Sequence, residues 1–212
     1  MTKKTICITF IIVSAVIQLC GCNPSVSAGK VEPGIPDDVL KAQATRIIQQ
    51  ALAGGDPQVR ANAIEAAAAT NQTQFLPEVK RLLRDEFVPV RFAAAVAIGD
   101  IRDKSARQDI TQLLKDNDEN VKIAAGYALY RIGSAGGLSF ALKGIKSSDQ
   151  QVRANAVFLL GKSGDKNALP LLYQAIRGED SDEKVQLNAV EAIARLGDEA
   201  ILDKLWAMVY SG

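Results

Sequence analysis

The sequence contains no histidine. That removes the side chain that most often serves as a general base near neutral pH and most often ligates zinc. Its three cysteines, Cys7, Cys20 and Cys22, all lie at the N-terminus, so the rest of the chain has no thiol for a disulfide, a metal site or a nucleophile. Aromatic residues make up only 5% of the chain, too few for a sheet-based core, which favours β-branched and aromatic side chains. Charge of one sign is missing as well. The 25 Lys and Arg against 24 Asp and Glu leave a formal +1, which implies no overall pull toward nucleic acid or an anionic membrane. No glycine-rich phosphate loop follows a strand pattern. The tract Asp116-Asn117-Asp118-Glu119-Asn120 has the composition of a calcium loop without its glycine or its ligand spacing. These absences point away from an enzyme, a cofactor and a metal site. What is abundant is alanine, within a hydrophobic content of 48%, and that suits helices packed at close range.

The N-terminus reads as an address. A short basic segment, Met1-Thr2-Lys3-Lys4, precedes an almost wholly apolar run from Thr5 to Gln18. The run is shorter than the roughly 20 residues a membrane-spanning helix needs, so it has the form of a secretory signal peptide. Leu19-Cys20-Gly21-Cys22 follows at once and resembles the lipobox of bacterial lipoproteins. That resemblance implies cleavage before Cys22, a diacylglycerol on its thiol and a further acyl chain such as palmitate on its amine, which together hold a protein durably at a membrane. Asn23 is not aspartate, so the enterobacterial sorting rule, where it applies, directs the product to the outer membrane. Two other readings stay open: cleavage after Val26-Ser27-Ala28 to release a soluble protein, and an uncleaved helix. Residues 1–21 are thus taken as the signal peptide. Residues 22–36, with three prolines and two glycines after Cys22, have linker chemistry.

Beyond residue 36 the chain repeats itself. A Val-Arg pair recurs as Val59-Arg60, Val90-Arg91, Val121-Lys122, Val152-Arg153 and Val185-Gln186, at steps of 31, 31, 31 and 33 residues. A fixed period of this size is the signature of stacked structural repeats. Each unit reads as two helices. Asp56, Asp118, Asp149 and Asp182 stand three residues before the valine, where a carboxylate caps the first helix. Apolar residues recur four and eight positions after it: Ala63 and Ala67, Ala94 and Ile98, Ala125 and Leu129, Ala156 and Leu160, Ala189 and Ile193. Gly133, Gly164 and Gly197 stand where a left-handed C-cap is needed. The units span about 56–85, 87–116, 118–147, 149–179 and 182–210, within a domain over 56–212. Residues 37–55 match a lone second helix and are expected to cap the exposed apolar end.

This pattern resembles HEAT repeats of the short alanine-rich type found in phycobilisome-lyase-like proteins. The fourth unit carries the motif most fully, with Asp149, Val152, Arg153, Ala156, Leu159-Leu160, Gly164 and Ala168-Leu169-Pro170. The second unit departs at Phe87 and the fifth at Gln186. The resemblance implies an all-α fold, an α-solenoid of about five helix pairs (an armadillo-like α-α superhelix) with an N-terminal capping helix. It further implies that the Asp and Arg columns, Asp56, Arg60, Arg91, Asp118, Lys122, Asp149, Arg153 and Asp182, form a structural ladder between neighbouring units. No residue is assignable to lyase chemistry.

Binding is sought where the units differ. Arg84, Lys115, Lys146 and Arg177 recur at 31-residue intervals in the second helices. They form a basic column whose ordinary role is to complement helix C-termini and whose functional role would be to meet an anionic partner. The series Lys80, Thr111, Leu142, Tyr173, Trp206 grows apolar toward the C-terminus, flanked by Phe140 and Leu171. Second helices line the concave face of HEAT stacks, so Phe140, Leu142, Leu171, Tyr173 and Trp206 are the candidate partner patch; the alternative is that they flank the core and are covered. The expectation is a monomeric, lipid-anchored scaffold or adaptor on the periplasmic side of the cell envelope. It would bind a protein or peptide and no nucleic acid. A structural spacer, or a regulatory subunit of an envelope enzyme complex derived from a degenerate lyase, are the alternatives.

Overall fold

Aspartate ahead of the repeated valine starts three of the first helices in the same way. Asp56 accepts from the backbone N–H groups of Gln58 and Val59 (2.8 and 3.2 Å). Asp118 does so from Asn120 and Val121 (2.8 and 3.3 Å), and Asp149 from Gln151 and Val152 (2.7 and 3.1 Å). Each carboxylate thus satisfies two donors that the helix itself leaves open. Phe87 stands at this position in the second unit and makes no side-chain cap.

The computed structural model describes residues 36–177, 183–201, 203 and 206. The expected signal peptide, Cys22, the expected linker up to residue 35, Asp182 and most of the expected last helix lie outside them. In chain order the helices are α1 (Asp37–Ala53), α2 (Pro57–Ala69), α3 (Leu76–Leu82), α4 (Val88–Ile101), α5 (Arg107–Leu113), α6 (Glu119–Arg131), α7 (Ser139–Gly144), α8 (Gln150–Ser163), α9 (Leu169–Arg177) and α10 (Glu183–Arg195). Even numbers from α2 are the first helices of the units and odd numbers from α3 the second ones. Among the described residues there is no strand, and the architecture is an α-solenoid. The chain divides into two compact units, residues 1–42 and 43–212, and the whole repeat array lies in the second.

First helices pack on first helices, α2 on α4 on α6 on α8 on α10, and each second helix packs beneath the first helix that follows. The apolar pairs four and eight residues after the valine are all buried. Small residues set the spacing. A Cβ on Gly99 of α4 would come within 2.9 Å of Ala128 Cα on α6, and one on Gly161 of α8 within 2.6 Å of Ala192 Cα on α10. These helices therefore touch nearly backbone to backbone. Each first helix ends in a left-handed residue: Gly133, Gly164 and Gly197 at φ 102°, 80° and 86°, with Asn71 and Arg102 at φ 52° and 60° in the first two units. Val59 is 45% exposed although Val90, Val121, Val152 and Val185 are buried. From residue 43 onward, α1 buries Leu52, packs Ile48 and Ala51 against the core and leaves Ile47 exposed.

The ladder is built differently from the expected pairing of the capping aspartates with the arginines. Arg60 takes both oxygens of Asp85 (Nε to Oδ2 and Nη2 to Oδ1, each 3.0 Å) and donates through Nη1 to the carbonyls of Gly54 and Gly55 (2.9 Å each). Arg91 repeats this with Asp116 (2.8 and 3.0 Å) and the carbonyls of Asp85 and Glu86 (2.9 and 3.0 Å). The carboxylate belongs to the turn that opens the next unit, two residues before the capping position. It also accepts the N–H of Phe87 or Asp118. Asp56, Asp118 and Asp149 are occupied as caps, so the pairing falls to this neighbouring column. In the third unit Lys122 and Ser147 occupy the equivalent positions, and the Ser147 hydroxyl donates instead to Glu119 Oε2 (3.4 Å). Arg153 keeps the two backbone bonds, to the carbonyls of Ser147 and Ser148 (2.9 Å each).

Candidate functional groove on the first helices

Two, six and ten residues after the repeated valine, the first helices carry a face that is buried in the core at Ile123, Tyr127 and Ala154 and half-buried elsewhere. In α4 these are Phe92, Val96 and Asp100; in α6, Ile123, Tyr127 and Arg131; in α8, Ala154, Phe158 and Lys162. Glu65 of α2, Phe92 and Val96 of α4 and Phe158 of α8, over a floor of alanines, line one cavity of about 420 Å³. A residue of the first unit and one of the fourth border the same space. First helices of separate units therefore border one groove, whereas the partner patch expected from the sequence lies on the second helices. The small-residue contacts at Gly99 and Gly161 are the physical reason, because they draw the first helices together on that side.

One end of the groove is closed by a polar cluster drawn from three units. The Tyr127 hydroxyl donates to Asp100 Oδ1 (2.5 Å) and accepts from Arg131 Nη1 (2.7 Å). Lys162 Nζ donates to Asp100 Oδ2 (2.7 Å), reaching across 62 residues of sequence, and Arg131 also donates to the Lys162 carbonyl (3.2 Å). Lys162 lies 5.5 Å from the Phe158 ring centre and Arg131 5.6 Å from that of Tyr127, within cation–π range. Tyr127 is fully buried. Burial first, and the Asp100 carboxylate beside it, push its phenol far above the usual range, so it stays a hydrogen-bond donor at any physiological pH. The cluster ties α4, α6 and α8 together. Apolar walls with a few placed charges suit reception of a side chain.

The residues singled out from the sequence lie on or just after the second helices of their units. Phe140 is half-buried and closes over Gly126. Leu171 and Tyr173 are half-buried, and the Tyr173 hydroxyl donates to Asp198 Oδ2 (2.9 Å) in the turn of the next unit. Leu142 and Trp206 are 38% and 55% exposed. None of these five lines the groove. Lys115, Lys146 and Arg177 are exposed. Arg84, 71% exposed at its side chain, pairs with Asp109 (2.9 Å) and borders a second, polar cavity of about 470 Å³ with Lys80, Arg81 and Asp85. Lys80 itself is held by Asp103 (2.8 Å). Asp116 and Asp118, the core of the calcium-like tract, are engaged by Arg91 and by the start of α6. Among the described residues no helix is long and apolar enough to cross a membrane.

Sequence reasoning missed the groove residues. Their signal was present: aligned on the valine, the column at plus six reads Glu65, Val96, Tyr127, Phe158, Glu191, and that at plus ten reads Ala69, Asp100, Arg131, Lys162, Arg195. No core pattern requires such variation.

Among known proteins, the family described as HEAT repeats matches residues 44–130 and 138–212. No curated protein sequence matches the chain. Among solved structures, it is similar to the complex of CpcE and CpcF of phycocyanin lyase from Nostoc sp., at 20% identity over 80% of this chain and 70% of that one, with a TM-score of 0.50. An engineered protein matches at 18% identity over 77% of this chain and 88% of its own, with a TM-score of 0.43. YibA of Escherichia coli matches at 23% identity over 83% of this chain and 65% of its own, with a TM-score of 0.42. At 20% identity the first of these likenesses shows the fold alone.

Proposed function

This chain belongs to the HEAT-repeat family, and on that premise we propose that it is a non-catalytic scaffold that holds a segment of a partner protein in the groove of its first helices. The groove itself carries the reading: apolar walls from Phe92, Val96 and Phe158, supplied by separate units, with charged residues at its edges. Asp100 and Lys162, at its closed end, are engaged in tying helices together, which favours holding over reacting. A monomer, tethered through lipid on Cys22 to an envelope membrane on its periplasmic side, completes the proposal; that part rests on the N-terminal sequence motif.

The test is a co-purification from envelope extract using full-length protein in detergent. Wild type is expected to recover a partner that the Phe92→Ala/Phe158→Ala variant loses while its helicity persists. Equal recovery by both would remove the groove from the reading, and recovery by the double variant but not by Tyr173→Ala/Trp206→Ala would move the site to the second helices. An empty result with every variant would favour a spacer. For the anchor, mass spectrometry is expected to find acyl chains on the wild-type N-terminus and none on Cys22→Ser; unchanged acylation and membrane partitioning of that variant would sink the lipid tether.

A further inference from the structure

The charges that border the groove are not balanced. Asp100 is answered by Lys162 at 2.7 Å and by the Tyr127 hydroxyl. Glu65, on the exposed face of α2 at the opposite side, has no hydrogen bond or ion pair among the described residues. The half-buried Phe92 and Phe158 line the same cavity. A ligand that fills this space therefore meets an apolar slot and, one helix away, an unanswered carboxylate.

Geometry limits how those two features are used together. Packed helices lie about 8–10 Å apart, and an extended chain advances about 3.3 Å per residue. One step from α2 to α4 thus equals about three residues of extended peptide.

We propose that the groove takes an extended segment of a partner protein in which a lysine or arginine lies three residues from a large apolar side chain. The apolar side chain packs on Phe92, one helix from Glu65, with Phe158 on the far wall of the same cavity, and the cation meets Glu65. This rests on the groove being the binding site, as proposed above, and adds the chemistry of what enters it. The slot supplies most of the affinity, because buried aromatic anchors dominate interfaces. Glu65 supplies the choice of sign, as charges at the rim of an interface do.

Fluorescence anisotropy of the full chain with two labelled peptides tests it. The first probe is Gly-Ser-Lys-Ser-Gly-Phe-Ser-Gly; the second carries glutamate in place of its lysine. Wild type is expected to prefer the lysine probe by about tenfold, Glu65→Gln to reduce that preference to about threefold or less, and Glu65→Lys to reverse it. Phe158→Ala should weaken both probes alike, by about tenfold. Glu65 is exposed, so these variants should fold as wild type does, which circular dichroism checks. If both probes bind equally well and Glu65→Lys changes neither, the sign preference is wrong while the groove survives as a site. If neither probe binds wild type at all, both the inference and the peptide-binding groove fall. Self-association in sedimentation that is abolished by Phe158→Ala would instead assign the groove to a second copy of this chain.

Discussion

The joints between the first three units and the joint between the third and fourth follow the same backbone plan with different side chains. At the first two, Arg60 and Arg91 each clamp a carboxylate of the next turn with two bonds and hold two carbonyls of the turn before. A guanidinium has the planar fork that such a site needs, and an ammonium does not. At the third, lysine and serine have replaced the arginine and the aspartate, Lys122 and Ser147. That joint is held by the Asn155 side-chain amide donating to Asn120 Oδ1 (2.9 Å), by Arg131 donating to the Lys162 carbonyl (3.2 Å) and, passing over a whole unit, by the Asp100–Lys162 pair. A solenoid is stable roughly as the sum of its units and their interfaces. The two kinds of joint show that an interface is held either at its turn or along its first helices. The Asp100–Lys162 pair falls where binding is proposed, so occupation of the groove and stiffness of the C-terminal half should be linked.

The comparison is broken most severely by forcing helices apart where ion pairs do not act. Gly161→Leu places a side chain where Ala192 already stands and should cost at least about 3 kcal/mol, read as a lower urea midpoint. Arg91→Ala leaves Asp116 buried without its partner and should cost about 3 kcal/mol, whereas Lys122→Ala should cost under about 1 kcal/mol. Equal losses from those two would erase the distinction between the joints.

Acid should act on the riveted joints selectively and less strongly than deletion, because the arginine keeps its bonds to backbone carbonyls. Burial pushes the carboxyls of Asp85 and Asp116 up. The arginine hydrogen bonds, the N–H groups of Phe87 and Asp118 and the nearby cationic charges outweigh it and hold both below the ordinary range. A carboxyl with a depressed folded pKa contributes stability that is complete above its unfolded value of about 3.9 and is lost as pH falls through the lower folded value. The urea midpoint should therefore stay level down to about pH 5 and fall below about pH 4, and the fall should be shallower in Asp85→Asn/Asp116→Asn. A smaller effect of opposite sign is expected from rebuilding the third joint. Lys122→Arg with Ser147→Asp should raise stability by about 1 kcal/mol, with neither change sufficient alone. The smallest is Arg102→Gly, at a left-handed position in the second unit, which should add about 0.5 kcal/mol in the same assay.

Periodicity and local capping were legible without a structure. The 31-residue step, the capping aspartates and the glycines at positive φ are consequences of a few neighbouring residues, and each is repeated often enough to be read. The ladder was only half legible. Two aspartate columns lie two residues apart, one represented by Asp118 and the other by Asp116, and both carry the residue type an arginine needs. Which of them reaches Arg91 depends on where the next turn lies in space.

The groove lay further from view because two of its determinants are not local. Its side depends on how closely the first helices approach, which Gly99 and Gly161 permit only when Ala128 and Ala192 face them. Its closed end depends on Asp100 and Lys162 meeting across an intervening unit. The amino-acid sequence alone determined that this protein is a stack of helix pairs, because helical period and capping are short-range properties of the chain. Tertiary structure alone decided which carboxylates became rivets and which face of the stack became a groove, because both follow from the spacing and rotation of helices whose contacts join residues from separate units.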